Sequence, residues 1–205
     1  MDADRHYPFM ASFQSERDGD PDSHRCGGAL VAANWVLTAA HCVVEAGEGS
    51  DPYKFKDLSG YHVRIGGNSR TWGGSVVKIK RAVVPPGYRW DDNRELGKDI
   101  ALVEIDRDLR YQRPQLSYRL PAPGTAIREI GWGYTANGQD DPTRLPVWLK
   151  QLDTKVNPTG PALDRLLTDH LTHPGLGHPR KSRCRPPTSH TVPEPFCAPT
   201  ICLFV

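Results

Sequence analysis

The chain lacks any apolar run near the roughly 18 residues that a membrane-spanning helix needs, so no span is expected. Residues 1–20 also lack the basic start and apolar stretch of a secretory signal, and nothing in the sequence as written is expected to export it. Charge of one sign is equally scarce: a formal net charge of +2 gives neither nucleic acid nor a charged membrane surface a reason to bind. Glycine and proline, by contrast, are abundant. There are 19 of each, above ordinary usages of about 7% and 5%, which favours short strands joined by turns and argues against a helical bundle.

With 38% hydrophobic residues over 205 positions, the chain can bury a core in one all-β domain. From Tyr7 to Val156, short β-rich pieces alternate with polar, glycine-containing loops. Residues 7–13, 29–31, 35–37, 62–65, 75–84, 100–105, 125–130 and 147–156 are the candidate strands. That spacing suits a barrel or a sandwich. Only residues 39–44 and 162–171 read as short helical pieces.

From about residue 157 the alternation gives way to proline, histidine, arginine, threonine and serine, as in His178-Pro179-Arg180-Lys181-Ser182-Arg183-Cys184. So much proline cannot supply N–H groups to central strands, and residues 157–205 read as a disordered or poorly packed tail. Two origins stand: a natural flexible tail, or a reading frame lost near residue 157. The tail carries His170, His173, His178, Cys184, His190, Cys197 and Cys202, whose spacings match no closed zinc pattern, so neither metal nor cofactor is expected. The run Arg180, Lys181, Arg183 and Arg185 reads as a solvated basic face. Five cysteines is an odd number, so at least one is unpaired within the chain.

The chemistry concentrates in Leu37-Thr38-Ala39-Ala40-His41-Cys42. An imidazole that takes a nucleophile's proton and returns it to the leaving group, its tautomer held by a carboxylate, is the machinery of acyl transfer. An isolated histidine in an apolar surround is more often structural, so the neighbourhood of His41 decides. Cys26-Gly27-Gly28-Ala29-Leu30-Val31, followed by Asn34-Trp35-Val36-Leu37 and the histidine segment, resembles the first barrel of the chymotrypsin/trypsin family of serine proteases.

That resemblance implies an all-β double barrel, serine-type endopeptidase activity on protein or peptide substrates, and an extracellular setting. It implies no cofactor. It makes His41 the general base and pairs Cys26 with Cys42, a staple worth about 3 kcal/mol in the chain-entropy model. Lys98-Asp99-Ile100-Ala101-Leu102-Val103-Glu104 matches the family's aspartate set just before an apolar run. By that match Asp99 is the triad carboxylate, ahead of Glu104, which lies inside the run. Gly131-Trp132-Gly133 resembles a glycine-flanked tryptophan early in the family's second barrel, although the same tripeptide marks ordinary tight bends.

The likeness covers about residues 6–156. Tyr7-Pro8-Phe9-Met10-Ala11-Ser12 and Leu149-Lys150-Gln151-Leu152-Asp153-Thr154-Lys155 resemble secreted bacterial members most. The expected organisation is a protease domain over 1–156, with a first barrel at about 6–115 and a partial second barrel at about 124–156, then the tail 157–205.

Two departures from the family pattern stand out. Met1-Asp2-Ala3-Asp4 stands where the family's Ile-Val-Gly-Gly type activation sequence would end, as a start placed too far downstream would leave it. No Gly-Asp-Ser-Gly-Gly segment follows Asp99, and Ser117, Ser182 and Ser189 all lack flanking glycines. No nucleophile is assigned, and the stretch that sets cleavage preference goes with it. Nor does any loop compel calcium.

Three functions follow: a trypsin-like endopeptidase whose chain is truncated at the start, altered at the end and inactive, a non-catalytic homologue that binds a protein partner, and a tail that binds metal or anions. A Gly-Asp-Ser-Gly-Gly sequence in another frame beyond residue 157, with an export signal upstream of Met1, would favour the first. A barrel recognisable before residue 120 and an incomplete one after it are expected in either of the first two cases.

Overall fold

The computed structural model of the chain describes residues 1, 3, 6–90, 98–117, 121–135 and 145–156, and the backbone alone of residues 200–203. Six strands close into a barrel: β1 (Met10–Ser15), β2 (His24–Ala32), β3 (Trp35–Thr38), β6 (Tyr61–Ile65), β7 (Ser75–Val83) and β8 (Ala101–Ile105). Their order around it is β1-β2-β3-β8-β7-β6, and each neighbouring pair is antiparallel. A two-stranded ribbon, β4 (Val44–Glu45) and β5 (Lys54–Phe55), fills part of the β3–β6 connection.

The barrel core follows from alternation along each strand. In β8, Ala101, Val103 and Ile105 are buried while Leu102 is exposed, and in β6 Val63 and Ile65 point inward. Successive side chains of a strand face opposite sides, so these positions line one interior with Phe13, Leu30, Val36 and Val77. Strand β7 breaks step between Ile79 and Arg81. An extra residue in one strand turns two consecutive side chains to the same side. Lys80 and Arg81 accordingly both reach Glu104 on the outer face, at 2.8 and 2.6 Å, and Arg81 also lies over the Trp35 ring at 5.0 Å. Gly28 faces the interior where a Cβ would come within 3.0 Å of Phe13 and Val36 and 2.8 Å of the Leu37 carbonyl, so only glycine fits there.

Strand β9 (Ala126–Gly131) pairs antiparallel with β10 (Lys150–Lys155) and parallel with the backbone of β11 (Thr200–Leu203). Among the described residues this three-stranded sheet is not closed, so the fold is a trypsin-like double barrel with its second half incomplete. The expected tail lies outside the described residues apart from that short strand, as does the helical piece at 162–171.

Residues 7–9 turn rather than extend. Pro8 has no N–H to give a ladder, and Met10 N–H bonds back to the Tyr7 carbonyl at 3.0 Å. Strand β2, in contrast, runs through nine residues where only three were expected. Glycines dilute its hydrophobic pattern, yet both of its neighbours hold it in register.

Polar side chains join the partial sheet to the barrel. Arg70 is buried, and its guanidinium donates to the carbonyls of Asp22 and Pro146 at 3.1 and 3.2 Å, while its own N–H bonds to the Val147 carbonyl at 2.9 Å. Gln14, on β1, donates to the Arg70 carbonyl at 2.5 Å. Arg128 of β9 clasps Asp153 of β10 with two bonds, Nε to Oδ1 at 2.5 Å and Nη2 to Oδ2 at 2.8 Å, and reaches the Tyr7 hydroxyl at 3.1 Å. Those bonds hold its guanidinium above its usual range, the one with Asp153 first. Buried guanidinium groups need such partners, because an unpaired charge away from water is strongly destabilising.

Candidate active site

His41 sits in a 3-10 turn, Ala40–Cys42, directly after β3. The turn is held from both sides: Ala40, Val43 and Val44 are fully buried, while His41 itself is half-buried. Asp99 lies two residues before β8. Antiparallel pairing of β3 with β8 sets Thr38 opposite Ala101, so the end of one strand and the start of the other fall together. Residues 58 apart in sequence thereby meet.

The contact is double. His41 Nδ1–H donates to Asp99 Oδ2 at 2.7 Å, and the His41 backbone N–H donates to Oδ1 of the same carboxylate at 2.9 Å. One carboxylate thus fixes both the ring and the turn that carries it. With Nδ1 donating, the neutral imidazole keeps its acceptor lone pair on Nε2, the arrangement a general base requires.

Among the described residues, Cys42 Sγ comes within 3.6 Å of Nε2. That sulfur is bonded to Cys26, so the staple ties the histidine turn to β2. The three residues bring their donor atoms within 4.8 Å of one another, but two sulfurs joined in a disulfide have no thiolate to offer a metal. In this oxidised form the cluster is a staple, and the residues present do not fit a resident metal.

Of the sequence candidates, the structure brings together His41, Asp99, Cys26 and Cys42. It separates Glu104, whose hydrogen bonds from Lys80 and then Arg81 hold its carboxyl below the usual range on the outer face. Ser117 is exposed in the segment between β8 and β9. Ser182 and Ser189 lie outside the described residues, as do Cys184, Cys197, His170, His173, His178 and His190, and only the backbone of Cys202 is described.

Sequence reasoning missed Lys56. Its Nζ donates to the His41 carbonyl at 2.7 Å and to the Cys42 carbonyl at 3.4 Å, capping the turn from beneath, and its backbone N–H bonds to the Val43 carbonyl at 3.0 Å. Partial burial lowers its ammonium pKa, with Glu45 opposing. Nothing in Tyr53-Lys54-Phe55-Lys56 marks one lysine from the other; only the β4–β5 ribbon turns Lys56 under the histidine. Charged hydrogen bonds contribute about 1.5–3 kcal/mol when shielded, and less at a half-exposed group. Lys56→Met is therefore expected to lower stability by about 1 kcal/mol and Tm by roughly 2–4 °C, read by thermal unfolding. An unchanged Tm would mean that water caps the turn equally well.

Comparison with known proteins bears on this site. Residues 2–162 match the family model described as Trypsin. Granzyme M of Homo sapiens is 33% identical over 155 residues, spanning 73% of this chain and 52% of that protein. Trypsin 5G1 of Aedes aegypti is 33% identical over 131 residues, 61% of this chain and 44% of that protein. The chain thus spans about half the length of these curated relatives. Among solved structures, mouse-brain neuropsin superposes with a TM-score of 0.58 at 24% identity, over 74% of this chain and 60% of that one, a likeness of fold. Human heparin binding protein gives 0.55 at 25% identity, over 74% and 61%. With a match across most of its length, a closed six-stranded barrel and the staple beside His41, the chain belongs to the trypsin family of serine proteases.

Proposed function

We propose that residues 1–156 form a trypsin-like serine endopeptidase domain in which His41 is the general base and Asp99 its orienting carboxylate, and that this polypeptide does not hydrolyse peptide bonds by itself. The family match over residues 2–162 supports the domain assignment. The observation that carries the roles is the double hydrogen bond from His41 to Asp99, with Nε2 left as the acceptor. Inactivity rests on composition: no serine after Asp99 stands between glycines, the setting that lets a tight turn present the hydroxyl and its backbone N–H groups. Loss of one triad member leaves about 10³–10⁴-fold catalysis over water when the oxyanion hole survives, and here no segment able to form that hole is recognisable. An extracellular setting suits the Cys26–Cys42 disulfide, which persists in oxidising surroundings.

The purified chain is expected to show no hydrolysis of arginine or lysine esters above the buffer rate. Cleavage that disappears in His41→Ala would overturn the inactive reading. A second reading, a non-catalytic homologue that binds a protein partner, is favoured by one observation: Trp72, Trp148 and Leu152 are each more than half exposed, at 75%, 54% and 59%. A backbone bridge between Ser69 and Trp148 sets Trp148 beside the β6–β7 connection that also carries Trp72.

A further inference from the structure

We propose that Lys56 is a positioning residue for His41: by binding that residue's carbonyl from beneath, it holds the imidazole at the distance from Asp99 that a general base needs. The assignment rests on the roles given to His41 and Asp99 above.

A short helical turn leaves its last carbonyls without backbone partners, because each N–H reaches back only three residues. Here the N–H groups of Cys42 and Val43 bond to the Ala39 and Ala40 carbonyls at 3.2 and 2.9 Å. The next three carbonyls all meet Lys56. Its Nζ donates to those of His41 and Cys42 at 2.7 and 3.4 Å, and its backbone N–H donates to that of Val43 at 3.0 Å. One residue thus seats the whole exit of the turn.

His41 is consequently gripped at both of its main-chain polar groups. Its N–H donates to Asp99 Oδ1 at 2.9 Å, and its carbonyl accepts from the Lys56 ammonium at 2.7 Å. Those two charge-assisted bonds fix the peptide planes on either side of the His41 Cα, and with them the direction of its Cβ. The ring hangs from that direction. Nδ1–H meets Asp99 Oδ2 at 2.7 Å, a bond that weakens steeply as its angle bends, and a catalytic group must be held within about 0.5 Å of its productive place. Both Asp99 oxygens bind His41, so a drifting turn would pull on the two bonds together.

Lys56 is itself anchored. It follows β5 directly, and β5 is tied to β4 through Val44 opposite Phe55 and Glu45 opposite Lys54. Lys54 is engaged with the carboxylates of Glu45 and Glu48 at 3.5 and 2.8 Å, away from the turn. Glu45 also attracts the Lys56 ammonium. The ribbon therefore presents one cation to the turn and keeps the other on its own acids.

The test uses the full chain with its disulfide intact and proton magnetic resonance, because an imidazole Nδ1–H bonded to a carboxylate resonates downfield of the amide protons. The His41 signal is the one that His41→Ala removes. In Lys56→Met it is expected to move upfield and to exchange with water about five-fold faster, the effect of one charged hydrogen bond at a half-exposed group. Lys56→Arg offers the same carbonyls a charged donor and is expected to keep the signal, with Lys56→Gln in between. Ile105→Val, a change in the barrel core at a side chain 1% exposed, costs comparable stability and should leave the signal in place. A signal that Lys56→Met does not move, that Ile105→Val moves equally, or that Lys56→Arg loses would overturn the assignment while the His41 and Asp99 roles stand. A folded wild-type chain with no such signal would overturn those roles and the assignment together. Should Lys56→Met fail to fold, the order of wild type, arginine and glutamine decides: a glutamine variant indistinguishable from wild type counts against the assignment, and a graded loss supports it.

Discussion

Trp132→Ala is expected to remove about 3–5 kcal/mol of unfolding free energy, the range for truncating a buried aromatic side chain. Trp132 is 1% exposed and among the largest fully buried side chains. It lies one residue past β9, yet its contacts are with the barrel: indole Nε1–H donates to the Asn68 carbonyl at 3.3 Å, and its ring tilts against His24 with centroids 5.7 Å apart. Truncation would open a cavity and remove one of two hydrogen bonds to that carbonyl, which also accepts from the Leu149 backbone N–H at 2.7 Å. The surroundings cannot easily close over the hole, because His24, against which the ring tilts, is itself held to Ser12 Oγ at 2.7 Å. Trp132→Phe keeps most of the apolar contact and is expected to cost less than half as much. Equilibrium denaturation followed by far-ultraviolet circular dichroism measures both, and a loss below about 1 kcal/mol for the alanine variant would refute the anchoring role.

The second large effect is acid sensitivity centred on His24. Burial first, and the nearby Arg70 charge second, hold its imidazole pKa down to about 4. Its Nδ1 shares a hydrogen bond with Ser12 Oγ at 2.7 Å. In the unfolded chain the same side chain titrates near 6.5. Between those values the unfolded state holds a proton that the native state refuses, so stability rises with pH across the window. The contribution is complete above about pH 6.5 and is lost progressively as pH falls towards 4, up to about 3 kcal/mol in all. His24→Phe removes the titration, and the stability difference between pH 7 and pH 4.5 is expected to shrink in that variant. An unchanged slope would assign the acid loss to other groups. The two effects are also coupled. In Trp132→Ala, water reaches His24, and its acid transition should move up towards pH 6.5.

Much of the site was legible because its chemistry is written locally. His41 beside Cys42, and Asp99 just ahead of Ile100-Ala101-Leu102-Val103, are patterns within single segments. Most of the barrel strands were legible for the same reason, since alternation is a property of one strand at a time. The β4–β5 ribbon was not, because two residues per strand show no period. Nor was the bulge in β7, where Lys80 and Arg81 fall together outside the barrel; the shift exists only relative to β8. Lys56 and Arg70 escaped notice because a surface-type residue carries no sign that distant backbone carbonyls will claim its donors. Gly131-Trp132-Gly133 was visible as a motif without its purpose. Space around Gly133 is open, so the tryptophan is the part of the motif that packs.

The amino-acid sequence by itself determined the material of this protein: an all-β chain punctuated by glycine and proline, an imidazole, a carboxylate and two cysteines in recognisable local settings, and no serine set between glycines after Asp99. Only the tertiary structure decided which of these act on one another. The β3–β8 register carries Asp99 across 58 residues to both N–H groups of His41, and packing sets a sulfur 3.6 Å from the remaining ring nitrogen. Side-chain chemistry and local backbone preference belong to single residues and their neighbours; register and burial belong to pairs of distant segments, and come into being only when the barrel closes.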